Sequence, residues 1–157
     1  MIEIDIPGFG EAKLKHFVTD FSGTLSLDGH ILTKLKDRLD KLAEEIEIHI
    51  LTADTHGKAR DELRGIKGHI QLLSPGVRED DQKEDYIRRL GAAGVVAVGN
   101  GNNDRKMLKA ARIGIAVCIG EGCAADAIKA ADIMVFRAED AFDLLLKPSR
   151  LKATLRF

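Results

Sequence analysis

Tryptophan is absent from the 157 residues, and aromatic residues make up only 4% of them. Surfaces that hold single-stranded nucleic acid stack its bases on aromatic rings, and this chain has little to offer there. Net charge is −1, with 24 Lys and Arg against 25 Asp and Glu, so no basic footprint points to nucleic acid either. No apolar run approaches the ~20 residues of a membrane span. The start, Met1-Ile2-Glu3-Ile4-Asp5, lacks the basic opening and long apolar core of a signal peptide. A cytoplasmic location is expected. Cysteine is scarce: Cys118 ends an apolar run and reads as a small core residue, and Cys123 follows it at a distance of five. A metal or redox role is not expected of the pair, because a structural zinc needs further ligands. Asparagine occurs three times, at 100, 102 and 103. A chain that otherwise avoids a residue type has a local reason to concentrate it in one loop.

What is present is ordinary for a folded domain, 45% apolar and 31% charged residues. The length favours one domain over 1–157. Ile2, Ile4 and Ile6 alternate with Glu3 and Asp5, and Pro7-Gly8 follows, which predicts an edge hairpin over 1–14. Residues 16–20 read as a strand. Asp28-Gly29 marks a second hairpin over 25–31. Leu32, Leu35, Leu39, Leu42 and Ile46 lie on one helical face, with Thr33 as N-cap. Further strands are predicted at 46–52, 69–73, 94–99, 113–117 and 133–136. Helices are predicted at 56–64, 79–90, 103–111, 121–131 and 138–146, with a basic tail after Pro148. Strand and helix alternate, so the expected class is α/β: a three-layer, Rossmann-like, mostly parallel sheet with helices on both faces.

Strand 16–20 ends on Asp20, and a turn follows at Gly23. Ligands of open α/β sheets bind at the carboxyl ends of the strands. Two other strand ends carry polar groups, Thr52 and the loop Gly99-Asn100-Gly101-Asn102-Asn103-Asp104, and Lys83 lies between them in sequence. A carboxylate, a hydroxyl, an ammonium and a second acidic loop make up the set that phosphoryl transfer needs. The carboxylate attacks phosphorus. Hydroxyl and backbone N–H groups hold phosphate oxygens, the lysine neutralises charge, and the acidic loop holds Mg²⁺, which prefers oxygen ligands. Each residue also has a plainer role open to it. Thr52 and Asp54 suit the cap of the next helix, Asn102 and Asn103 suit turn positions, and His56 suits either the pocket or a helix start.

The chain resembles the haloacid dehalogenase superfamily. Asp20-Phe21-Ser22-Gly23-Thr24 is similar to its first motif, Asp-x-Asp-x-Thr. Thr52 matches the second motif, and Lys83 or Lys67 the third. Gly99-Asn100-Gly101-Asn102-Asn103-Asp104 is similar to the fourth, Gly-Asp-Gly-x-Asn-Asp. The resemblance spans residues 16–136. Leu108-Lys109-Ala110-Ala111-Arg112-Ile113-Gly114-Ile115-Ala116 and Ala130-Ala131-Asp132 also resemble the phosphorylation domain of P-type ATPases. It implies a phosphohydrolase or phosphotransferase with Asp20, Ser22, Thr52 and Lys83 as catalytic positions. Phosphate would be held at Phe21, Gly23, Thr24, Thr52, Ala53 and Lys83, and Mg²⁺ at Asp20, Ser22, Asn100 and Asp104.

Two carboxylates of the family pattern are replaced. Ser22 stands where the general acid and base belongs, a loss that typically costs about 10²–10⁴ in rate. Asn100 stands at a metal position and brings no charge, so Asp104 is expected to carry more of the metal. Two functions follow: a slow enzyme acting through phospho-Asp20, or a binding or regulatory domain that kept the fold. Only 27 residues separate Thr24 from Thr52 and 30 separate Thr52 from Lys83, too few for a cap domain. Capless members of the superfamily cover their sites through subunit contacts. The resemblance therefore implies a homo-oligomer such as a tetramer, with hairpin 25–31 near an interface. The substrate class is a phosphorylated small molecule or a phosphoprotein.

Overall fold

The computed structural model describes residues 1–54 and 57–157. Its centre is a six-stranded sheet in the order β10-β9-β8-β3-β6-β7, with every pairing parallel. These strands are β3 (His16–Asp20), β6 (Glu47–Thr52), β7 (His69–Leu72), β8 (Val95–Gly99), β9 (Ile113–Val117) and β10 (Ile133–Val135). All five residues of β8 and of β9 are buried, as continuous apolar runs in a doubly covered parallel sheet require. The chain leaves β3 toward β6 and β7, then returns to place β8 on the other side of β3. The strand order therefore reverses between β3 and β8, and the carboxyl ends of these two strands flank a switch point, where α/β proteins bind ligands.

Two antiparallel hairpins flank the sheet. β1 (Ile2–Ile6) and β2 (Gly10–Leu14) bury Ile2, Ile4, Ile6, Ala12 and Leu14. β4 (Ser26–Leu27) and β5 (His30–Ile31) form the short hairpin around Asp28-Gly29. One face of the sheet is covered by α1 (Leu35–Leu42), α2 (Lys58–Glu62), α6 (Ala138–Leu146) and α7 (Pro148–Leu155), which share an apolar cluster with the first hairpin. Phe17 of β3 meets Phe142 of α6 there, with ring centroids 4.9 Å apart. The other face packs on α3 (Glu79–Leu90), α4 (Arg105–Ala110) and α5 (Ala125–Ala130) through Val18, Ile87, Val95, Ala97, Met107 and Ala127.

The predicted α/β class, strand set and two hairpins are present, and among the described residues there is no insert large enough for a cap. Several local expectations change, among them helix 121–131, which is helical only over Ala125–Ala130, and the first helix, which leaves out Leu32 and Ile46. Lys34, not Thr33, precedes α1, and no side chain caps that end. The residues after Pro148 are not a loose basic tail. Proline occupies the first turn of α7, where its missing N–H costs nothing, and Leu151 and Leu155 are buried. Helix 103–111 begins as a 3-10 turn, Asn102–Asp104, before α4. His56 lies outside the described residues.

A cluster of imidazoles lies at the amino end of the sheet. His16 Nδ1 and His49 Nε2 are 3.2 Å apart, and His69 stacks on His49 with centroids 5.2 Å apart. Burial, with the neighbouring His16 and His69 rings, pushes His49 down to about 4, so it is neutral at pH 7.

Candidate active site

Asp20 stands at the carboxyl end of β3, beside the switch point, and is nearly buried. Glu79 and Lys83 of α3 are four residues apart and share a helix face. That face delivers the Lys83 ammonium to the sheet. Nζ donates to Asp20 Oδ1 at 2.8 Å and to Asp104 Oδ1 at 2.7 Å. Lys83 and Asp104 are both fully buried. The other Asp104 oxygen accepts the N–H groups of Asn100 and Gly101, each at 2.9 Å. Gly99 has to be glycine for this loop to close, because a Cβ there would sit 2.5 Å from the Asp104 carboxyl carbon.

The charges in this group do not balance. Two carboxylates share one ammonium. Burial and the Asp104 charge push Asp20 up to about 7, against the pull of Lys83. Burial also opposes the Lys83 charge, but Asp20 and Asp104 outweigh it and hold the ammonium above the usual lysine range. An excess of buried negative charge beside a polar cleft is what a divalent cation neutralises. The donors are all oxygen, which fits Mg²⁺.

The cleft in front of Asp20 has a volume of about 460 Å³. Of the expected residues, Asp20, Phe21, Ser22, Thr52, Ala53 and Asn100 line it. Gly23, Thr24, Lys83 and Asp104 stand behind the wall. Thr24 is fully buried, and its hydroxyl donates to Asn100 Oδ1 at 3.2 Å, which positions the amide where direct phosphate contact was expected. Asp104 was expected to carry more of the metal. Its two oxygens accept from Lys83 and from backbone N–H groups, so it also frames the loop. Asn100 is held from both ends, since its Nδ2 donates to Gly122 O at 3.2 Å. Lys67 lines a different cleft, with His16 and His69, and plays no part here.

Glu79 and Lys58, which sequence reasoning passed over, also line the cleft, as do Asp54 and Gly29, which it read only as a cap and a turn. The i, i+4 spacing of Glu79 and Lys83 was a usable signal. Asp54 accepts the Ala59 and Arg60 N–H groups at 3.0 and 3.3 Å, so it does cap the start of α2. Its φ of +25° bends the chain sharply after Thr52. The β4–β5 hairpin forms one rim and is fastened on two sides. Asp28 N–H donates to Glu121 at 2.7 Å, and Ile31 N–H donates to Glu62 at 2.9 Å. Asp80, just before Lys83, is buried and paired with Arg78, Arg105 and Lys106 at 2.8, 2.9 and 3.2 Å. Arg78 and Lys106 hold its carboxyl well below the usual carboxylate range, and Arg105 and Lys106 join α3 to α4.

Comparison with known proteins bears on the family and the fold. The uncharacterized protein MJ0073 of Methanocaldococcus jannaschii is 50% identical over 89 residues, which is 57% of this chain and 90% of that protein. The chain belongs to the same family as MJ0073. No family model matches it. Among solved structures it is similar to the 3-deoxy-D-manno-octulosonate 8-phosphate phosphatase of Moraxella catarrhalis, determined with magnesium, phosphate and KDO. The TM-score is 0.71 at 18% identity, over 87% of each chain. The cobalt-bound deoxy-D-mannose-octulosonate 8-phosphate phosphatase of Haemophilus influenzae gives 0.70 at 16% identity, over 86% of this chain and 88% of that one. A zinc-transporting PIB-type ATPase in its E2.Pi state gives 0.60 at 24% identity, over 78% of this chain and 20% of the ATPase. The fold is the haloacid dehalogenase fold. No helix among the described residues is long and apolar enough to cross a membrane.

Proposed function

We propose that this chain is a magnesium-dependent phosphohydrolase or phosphotransferase that works through an aspartyl-phosphate on Asp20. One observation carries the reading: Asp20 is held by a buried lysine at the switch point of the sheet, facing an open polar cleft. Lys83 fixes the carboxylate and favours its ionised form. An Asp20 oxygen attacks phosphorus, and the bond to the leaving oxygen breaks with its electron pair. The Thr52 hydroxyl and the backbone at Phe21 and Ala53, which line the cleft, hold phosphate oxygens in this reading. Asp20 and Asn100, with an oxygen of Ser22, would hold Mg²⁺, whose charge stabilises the phosphoryl oxygens when it is bound.

Ser22 sets the character of the reaction. It is exposed at the cleft and cannot give a proton to a leaving alcohol near neutral pH. Leaving groups that depart as stable anions are favoured, namely acyl phosphates and phosphoanhydrides. Water then cleaves the aspartyl-phosphate slowly, returning Asp20 and inorganic phosphate. The open cleft suits a phosphorylated small molecule or a phosphoprotein. A homo-oligomer that covers it beside the exposed β4–β5 rim belongs to the same reading, as does a cytoplasmic location.

The test is incubation with Mg²⁺ and acetyl phosphate, followed by mass spectrometry of the peptide carrying Asp20, with Asp20→Asn as control. A phosphate adduct on Asp20 is expected. A lack of both adduct and turnover overturns the enzyme reading. It would favour the second one, a phosphate-binding or regulatory domain, for which Ser22 and the uncharged Asn100 are the supporting observations.

A further inference from the structure

The amino end of the sheet carries a second constellation, four residues along β3 from Asp20, or about 13 Å at strand rise. His16 opens β3 and Glu47 opens β6, and the two are register partners. His49 follows Glu47 by two, so all three side chains share the sheet face covered by α3. Their ligand-type atoms form a small triangle. His16 Nδ1 lies 3.2 Å from His49 Nε2 and 3.3 Å from Glu47 Oε2, and His49 Nε2 lies 3.7 Å from Glu47 Oε2.

These edges have a chemical meaning. Zinc binds imidazole nitrogen and carboxylate oxygen at about 2.0–2.2 Å in tetrahedral sites, which sets ligand atoms about 3.4 Å apart. An octahedral magnesium at about 2.1 Å needs edges near 3.0 Å and oxygen ligands. The observed triangle is one face of the tetrahedron, and its nitrogen content suits zinc-like ions. The outer support is present as well. Tyr86 OH lies 2.9 Å from His49 Nδ1, placed to accept its proton and so leave Nε2 free to ligate. His16 and Glu47 also line a cleft of about 610 Å³, which leaves room for water in the fourth position.

We propose that His16, Glu47 and His49 form a binding site for a tetrahedral divalent cation of the zinc class, separate from the cleft at Asp20. Two strands and one helix build it: β3 and β6 bring the ligands, and Tyr86 of α3 orients one of them. Tyr86 stands three residues after Lys83, so the same helix face serves both sites.

The test is titration of the full chain with Zn²⁺ in excess Mg²⁺, with Co²⁺ absorption as a second readout. One zinc per chain and a tetrahedral cobalt spectrum are expected. Glu47→Gln and His16→Ala should each weaken zinc at least ~10-fold, and Tyr86→Phe by about 10-fold, the size typical of an outer-shell loss. Glu47 is 62% exposed, so Glu47→Gln leaves folding intact and keeps the result readable if His16→Ala does not fold. Zinc affinity unchanged in Glu47→Gln and His16→Ala overturns the proposal. So does zinc that disappears instead on replacing Asp20 or the two cysteines.

Discussion

Lys83 Nζ lies 2.8 Å from Asp20 Oδ1 and 2.7 Å from Asp104 Oδ1, with no part of the lysine exposed. One ammonium therefore serves both the proposed nucleophile and the loop that frames it. Replacing it with an apolar side chain of similar length strands two carboxylates in a dry setting. Removing one partner of a buried ion pair costs about 3–5 kcal/mol. Lys83→Met should lose that much stability at pH 7 and less at pH 5, where Asp20 takes up a proton, and it should show no phosphoryl transfer. The double variant Lys83→Met with Asp20→Asn should regain part of the stability and none of the activity. Urea unfolding of both chains decides it. A double variant no more stable than the single one would mean that the lysine is held for its packing.

The raised Asp20 gives a pH dependence of definite sign. Its carboxyl titrates near 7 in the folded, metal-free chain, against an ordinary value of 3.8. Between these values the folded state binds the proton more tightly than the unfolded state. The contribution is fully present below pH 3.8 and is lost as pH rises through 7. In chelator, Asp20→Asn should match the wild type near pH 4 and exceed it by up to ~4 kcal/mol at pH 8. Added Mg²⁺ should narrow the gap. His49 acts in the opposite sense, because its lowered value costs stability as pH falls from 6.5 toward 4. That effect is common to both chains and cancels in their difference.

The strand ends were legible because polar residues closing apolar runs are rare and conspicuous. Asp20, Thr52 and Asn100 announced the carboxyl edge of the sheet, and the alternation of strand and helix announced the crossovers. The depth of the polar frame was not legible. Lys83 sits in Glu79-Asp80-Asp81-Gln82-Lys83-Glu84-Asp85, a run that reads as a solvated face, yet Asp80 and Lys83 turn inward and are buried. Their partners, Arg105, Lys106 and Asp104, are more than 20 residues away, and local pattern carries no such pairing. The same reason hid the roles of Thr24 and Asp104, which support the cleft from behind. The histidines of β3 and β6 escaped because a strand register, not a spacing in sequence, brings them together. The last helix escaped because its basic residues masked Leu151 and Leu155.

Ser22 offers a gain-of-function test. It is exposed and lines the cleft, so a carboxylate fits there without displacing core side chains. Ser22→Asp restores a group able to protonate a leaving alcohol and then to activate water. General acid–base catalysis contributes about 10²–10⁴ in rate. Turnover of a phosphate ester should rise by that order, and the lifetime of the aspartyl-phosphate should fall. Acyl phosphates, whose leaving group needs no proton, should gain less in the first step. Single-turnover kinetics with both substrate types separates the two effects. An unchanged ester rate would exclude Ser22 as the group that limits the proposed turnover.

Asn100 tests where the metal is held. Its Oδ1 accepts the Thr24 hydroxyl, and its Nδ2 donates to Gly122 O. Asn100→Asp trades that donor for an anionic oxygen facing a carbonyl. It also adds a third carboxylate to a group that already has two for one lysine. Without metal the variant should unfold at a lower temperature than the wild type. With Mg²⁺ the added charge becomes an advantage, and the dissociation constant should fall at least ~10-fold, so that Tm recovers with metal concentration as linkage requires. Calorimetric titration of Mg²⁺ into both chains measures this directly. Equal affinities would remove Asn100 from the metal site and leave it as a strut between Thr24 and Gly122.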